Sequence, residues 1–382
     1  MKKSLALLLA AAMALALLAG CGNQNPGPDS SDGNSDKQGG SVIAKVGLVT
    51  DVGTIDDESF NQSCWEGVEE FCEARGYAYT YYQPTENSND ARVASISQAV
   101  ADGANVIVLP GYLFGAVLIT VQDMFPDTYF LAVDVGAGDL TLDYQTFSAP
   151  SANSVCIAFC EEQAGYLAGY AAVKDGYTSL GYLGGMAAPA VIRYGYGFVQ
   201  GCDAPAREMG IDIDINYTYA GSFVADASIT AKMEGWYANG TQIVFAAGGT
   251  IYSSACEAAV QHNGMVIGVD VDQHYVGEDT SKYPYNPFVT SAMKGLKASV
   301  VSTLEDLENG NWAAHSAKCE SKSLSDGDYI GLPTADSSWC FKTFTVAEYE
   351  TILAGIKDGS IAISNDTTVQ PAVTNSTVNY ID

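Results

Sequence analysis

Four apolar runs decide the fold: VIAKVGLVT (42–50), YAYTYYQ (77–83), NVIVLP (105–110) and TYFLAVDV (128–135). Each is short enough for a strand, and helical spacing fills the gaps between them. Phe60, Cys64, Trp65, Val68, Phe71 and Cys72 recur at three- and four-residue intervals, and Val93, Ile96 and Val100 do the same. Ser59-x-x-Gln62 reads as a capping box for the first helix. A third helix is expected over 113–124. The order is β-α-β-α-β-α-β. Strands with near-continuous apolar runs are buried on both faces, as in a parallel sheet covered by helices.

The pattern resumes after residue 150. A long helix is expected over 152–173, carrying Ile157, Phe159, Leu167 and Tyr170. Strands SLGYLGG (179–185), IDIDINYTY (211–219), QIVFAA (242–247) and MVIGVDV (265–271) follow, separated by helices over about 190–209, 226–238 and 251–262. The chain therefore reads as α/β, with two parallel-sheet lobes of similar content in tandem.

Composition removes several function classes. The 382 residues carry 17 Lys and Arg against 45 Asp and Glu, a formal charge of −28. Such a charge repels phosphate backbones and anionic headgroups, so nucleic acid is not an expected partner. Apolar residues make up 47% of the chain, enough for two cores. His262, His274 and His315 are too scattered for a zinc enzyme, and no metal site is expected. G-x-x-x-x-G-K-[ST], H-E-x-x-H, G-x-S-x-G and C-x-x-C are all absent.

The N-terminus reads MKKSLALLLAAAMALALLAGC (1–21): a charged start, a short apolar run and small residues before Cys21. It resembles a bacterial lipoprotein signal, which implies cleavage after residue 20, a lipid on Cys21 and a place on the outer face of the cell membrane. Residues 22–41 contain no aliphatic or aromatic side chain other than Pro and read as a flexible tether. The eight further cysteines permit disulfides in an exported protein. Cys64 and Cys72 fit a buried helical stripe, however, and Cys156 and Cys160 fall one helical turn apart, so mostly free, buried thiols are expected.

In open parallel sheets the ligand sits beyond the carboxyl ends of the strands. Here those segments are 50–62, 110–115, 134–139, 184–198, 247–254 and 270–273. They are rich in Gly, Asp and aromatics and poor in Lys and Arg. That lining suits a neutral, flat, polyhydroxylated molecule.

The stretch from Asp51 through Gly53, Asp56, Asp57, Ser59 and Phe60 to Gln62 resembles the opening signature of the basic membrane protein family. These are nucleoside-binding lipoproteins of ABC transporters with a type I periplasmic-binding-protein fold. Further matching stretches follow in order: Leu180–Gly185, Gly197-Phe198-x-x-Gly201, Ala246–Thr250, Ile267–Gln273 and Val289–Lys294. The resemblance spans about residues 42–310. It implies two doubly wound lobes joined by a hinge of three strands, closing on a purine nucleoside. Lobe 1 would comprise 42–151 plus about 293–320, and lobe 2 would comprise 152–292 plus about 321–365. Residues 366–382 would be a C-terminal tail. Carried over, Phe60 and Phe198 would stack on the two faces of the base, and Asp57 and Asn61 would bond its edge. Asp134 would stand on the first-lobe wall, and Gly248 or Gly249 would let backbone amides approach. Asp270 or Asp272, together with Lys294, would hold the ribose. ABC permease and ATPase subunits would be the partners of a monomer needing no cofactor.

Each of these residues has a plain structural alternative. Phe60 and Phe198 could be core, Asp57 a helix N-terminal charge, Asp134 a loop cap and Lys294 a solvated helix residue. At the level of function, a binding protein or sensor for a sugar or signalling molecule would use the same lining. A nucleoside hydrolase would need a carboxylate cluster, for which Asp56-Asp57 is the nearest candidate.

Overall fold

The computed structural model describes residues 42–143 and 145–381. The expected signal segment, lipid-bearing Cys21 and tether lie outside these residues. Five strands of the first half, β1 (Lys45–Val49), β2 (Ala78–Tyr82), β3 (Val106–Pro110), β4 (Tyr129–Val133) and β5 (Ser154–Phe159), are the core of one sheet. Helices α1 (Phe60–Arg75), α2 (Asn89–Ala101) and α3 (Phe114–Met124) connect the first four. After α4 (Glu161–Lys174) the second half repeats the plan. It runs β6 (Ser179–Gly184), α5 (Pro189–Met209), β7 (Ile213–Tyr219), α6 (Ala227–Ala238), β8 (Ile243–Ala247), α7 (Ile251–Gln261), β9 (Met265–Asp270) and β10 (Phe288–Lys294).

The strand orders are β2-β1-β3-β4-β5 and β7-β6-β8-β9-β10, and every pairing within them is parallel. Each is the doubly wound order whose switch point, between its first and third strands, is the usual ligand position. Near-continuous burial of β3, β4, β8 and β9 is what helices on both faces produce.

The remaining chain closes both sheets. Helix α8 (Leu296–Glu308) returns to pack on α1, where a Cβ at Gly67 would stand only 3.0 Å from the Lys297 carbonyl oxygen. Strand β11 (Lys318–Lys322) then adds in parallel to β5. The short β12 (Ile330–Gly331) pairs antiparallel with β10, α9 (Val346–Lys357) follows, and β13 (Ser376–Tyr380) pairs in parallel with β7. The chain passes between the sheets three times: at Cys160, at Gly295 and over 323–329.

Three expectations are corrected. Residues 154–159 are a strand of the first sheet, not the start of a helix at 152, so Cys156 and Cys160 do not share a helix. The run Val155–Phe159 is apolar and short, and periodicity alone does not separate a buried strand from a buried helix end. The first lobe consequently extends to Cys160, past the expected limit at 151, and β10 keeps residues up to 294 in the second sheet. Finally, 366–382 is not a tail. Asp203 on α5 accepts from the Thr374 and Asn375 amides and the Ser376 hydroxyl, and this clamp delivers β13 to the sheet edge.

Candidate functional site

A cavity of about 280 Å³ opens where the carboxyl ends of both sheets meet. That is close to the lower end of the ~300–1,000 Å³ range of small-molecule sites. The first sheet contributes Asp51 to Thr54 after β1, Gly111 and Tyr112 after β3, and Asp134 after β4, with Asp57, Phe60 and Asn61 from the start of α1. The second contributes Ala188, Ala190, Val191, Tyr194, Phe223, Ala247 to Thr250, Asp270 and Lys294.

The first wall is built around the N-terminus of α1. Asp57 accepts from the backbone amides of Ser59, Asn61 and Gln62 and from the Asn61 side chain, all at 3.0–3.1 Å. It is therefore the true cap of this helix; the expected Ser59–Gln62 capping box does not form. Ser59 instead donates its hydroxyl across the cleft to Asp270 Oδ2 at 2.8 Å. Burial pushes the Asp57 carboxyl up to about 6, even though these hydrogen bonds work in the other direction. Asn61 also donates to Asp51 Oδ1 at 3.0 Å, beside Gly53, where any Cβ would strike the Asn61 amide.

The far end of the cavity holds one buried ammonium among three buried carboxyls. Lys294 Nζ lies 2.9 Å from Asp134 Oδ2, 3.5 Å from Asp270 Oδ1 and 3.6 Å from Glu161 Oε1. It also sits 4.9 Å from the centre of the Phe60 ring, a cation–π distance. Arg193 Nε backs Glu161 at 2.5 Å. Burial raises the Glu161 carboxyl to about 7 against the pull of Arg193 and Lys294. Burial also raises Asp270; at Asp134 burial pushes the same way, but Lys294, Glu161 and Arg193 together outweigh it and hold the carboxyl low. Asp134 Oδ1 and Glu161 Oε1 are both buried without a hydrogen-bond partner, so this end of the cavity keeps unused acceptors. Asp134 and Asp270 both have left-handed backbones, φ 62° and 68°, at the ends of β4 and β9. Such conformations are strained for residues with a Cβ and concentrate at functional sites.

Most of the residues singled out in the sequence meet here: Asp57, Phe60, Asn61, Asp134, Gly248, Gly249, Asp270 and Lys294 all line the cavity. Phe198 does not. It is fully buried on α5 against Tyr182 and Phe245, with ring centres 6.1 and 5.4 Å away. Asp272 does not either: it accepts from the Ser338 hydroxyl and the His274 amide outside the cleft. The second-lobe phenylalanine at the cavity is Phe223, in the loop after β7, with Tyr194 of α5 the other ring on that side. A Cβ at Gly185, Gly248 or Gly249 would come within 2.4–2.8 Å of Phe223 atoms, so the three glycines make the seat for that residue. Glu161 is the other residue absent from the sequence reading. Reading the carboxyl end of IDIDINYTY as the other strand ends were read exposes Phe223. Glu161 carries no signal in a sequence that reads as one helix over 152–173.

The arrangement binds more readily than it reacts. Asp57 spends its oxygens on the helix, and Asp56 is exposed and does not line the cavity. The nearest candidate pair for hydrolysis is thus split.

A family model described as "ABC transporter substrate-binding protein PnrA-like" matches residues 44–336. The chain is 29% identical over 296 residues to the ABC transporter nucleoside-binding protein BmpA of Lactococcus lactis, covering 74% of this chain and 78% of that one. It is 31% identical over 268 residues to basic membrane protein A1 of Borrelia garinii, covering 68% and 71%. Among solved structures, a solute-binding protein of an ABC transporter system from Conexibacter woesei superposes with a TM-score of 0.65 at 21% identity. The match covers 84% of this chain and 99% of that chain. Another from Aeropyrum pernix gives 0.62 at 20% identity, covering 85% and 88%. These two share the fold.

Proposed function

Since the chain belongs to the PnrA-like Bmp family of ABC transporter substrate-binding proteins, we propose that it captures a purine nucleoside between its lobes and delivers it to a membrane permease. The observation that carries this reading is the pairing of two chemistries in one cavity. Phe60 and Phe223 offer aromatic faces from different lobes, and Asp134, Asp270 and Lys294 offer buried charged acceptors and a donor for hydroxyls. The nucleoside named for the Lactococcus relative agrees with that pairing. In this reading the base lies between the two rings and the ribose reaches the Lys294 end. Asn61 and Asp51 meet the base edge in place of Asp57, whose oxygens are occupied by the helix. Cys21 carries the lipid that keeps the protein at the outer face of the membrane, and the ligand leaves unchanged.

Mass spectrometry of the small molecule retained by purified protein tests this. A purine nucleoside is the expected finding; a sugar or a free base in its place refutes the reading.

A further inference from the structure

Strands β5 and β11 run side by side, and their register sets Cys156 directly opposite Cys319. Residues paired this way in a parallel ladder point to the same face of the sheet. The two thiols are near enough to interact, and that contact together with burial raises Cys156. Cys156 is fully buried, and Cys319 is exposed on the edge strand. Just beyond them, Cys160 Sγ meets Ser321 Oγ at 3.3 Å, so side chains of these strands approach closely here. Neighbouring strands stand about 4.7–4.9 Å apart, inside the ~4.4–6.8 Å Cα span that a disulfide bridges.

We propose that Cys156 and Cys319 form an oxidisable dithiol site that an external disulfide compound closes into a cross-strand bond. Cys319 is the attacking group because it is the exposed sulfur of the pair, whereas Cys156 is buried. Its thiolate attacks one sulfur of the compound, breaks that S–S bond and releases one thiolate. Cys156 then gives up its proton to the departing sulfur and attacks the Cys319 sulfur of the mixed disulfide, releasing the second thiol. The protein loses two protons and two electrons, and the reagent gains them as two thiols. The bond pins the edge strand to β5 next to two of the three passages between the sheets, and it touches no residue of the cavity.

The test treats the reduced protein, residues 42–382 included, with oxidised glutathione, followed by alkylation, proteolysis without reductant and mass spectrometry. The expected product is a peptide pair joined through Cys156 and Cys319, two hydrogens lighter than its parts and separated by dithiothreitol. If both thiols are alkylated, or if Cys319 keeps glutathione while Cys156 is alkylated, the proposal fails. Cys319→Ser changes only an exposed edge position and is expected to leave Cys156 without glutathione. Glutathione found on Cys156 in that variant would overturn the assigned order of attack.

Discussion

Lys294 Nζ, at the end of a second-sheet strand, donates at 2.9 Å to Asp134 Oδ2, at the end of a first-sheet strand. One buried hydrogen bond thus ties the two lobes at the floor of the cavity. Asp270 and Glu161 crowd the same ammonium. A charge cluster like this is a costly way to hold a protein together, because each ion gives up several kcal/mol of hydration on burial. Its presence is better explained by what it offers a ligand.

Lys294→Met keeps the length of the side chain and removes its charge. Three buried carboxyls then face one another with Arg193 as the remaining cation, and breaking a buried pair this way costs about 3–5 kcal/mol. Denaturant unfolding is expected to show a loss of that order. The loss should shrink as the pH falls and the carboxyls take up protons.

The two phenylalanines separate cleanly. Phe223→Ala is expected to weaken nucleoside binding by about 1–3 kcal/mol, the scale of base–aromatic stacking, with little change in thermal midpoint. Phe198→Ala empties a core position and should cost about 3–5 kcal/mol of stability, leaving the affinity of the folded protein intact. Calorimetric titration and thermal melts on both variants check the pair of outcomes. The reverse pattern would restore Phe198 to the site.

Glu161 sets a pH dependence of definite sign. Its folded carboxyl titrates at about 7 against an ordinary value of 4.5, so between those pH values the folded state holds a proton that the unfolded state has lost. The contribution of Glu161 is therefore full below about 4.5 and falls as pH rises toward 7, with a slope of up to ~1.4 kcal/mol per pH unit. Asp57, raised to about 6, acts in the same direction. Glu161→Gln cannot ionise, and the difference in stability between it and the parent protein is expected to change across pH 4.5–7 by that slope. A constant difference would mean that Glu161 holds no proton.

Asp203→Ala removes the acceptor that holds Thr374, Asn375 and Ser376. A loss of about 1.5–3 kcal/mol is expected, typical of hydrogen bonds to a charged group. Hydrogen exchange should rise first in β13 and the paired stretch of β7, with nucleoside affinity retained because β13 does not touch the cavity.

The lobed α/β plan was legible because long apolar runs of period-free strands alternated with helical spacing, and the carboxyl-end rule marked the segments that hold Asp57, Phe60 and Asp134, while Lys294 came from the family resemblance. Two of the strands that escaped notice lack that signal. Ser376–Tyr380 and Lys318–Lys322 are polar edge strands whose place is decided by long-range pairing. The mistaken aromatic has a similar cause. Phe198 lies nine residues beyond Pro189 on the amphipathic helix α5, and nothing local shows which helix face turns to the core. Phe223 needs the three glycines that make room for it, and these come from two separate strand ends. Asp270 could not be separated from Asp272 by spacing; the left-handed backbone at 270 turns that carboxylate toward Lys294.

Titration calorimetry comparing guanosine and inosine with guanine and hypoxanthine tests the central claim most directly. Asp134, Asp270 and Lys294 are expected to recognise the ribose hydroxyls, and a buried carboxylate left without its partner costs more than the bond itself was worth, at least ~2 kcal/mol. The nucleosides should therefore bind at least ~30-fold more tightly than the bases, and Asp270→Asn should narrow that gap. Equal affinities for nucleoside and base would contradict the assignment of the Lys294 cluster to the sugar, and with it the nucleoside reading of the cavity.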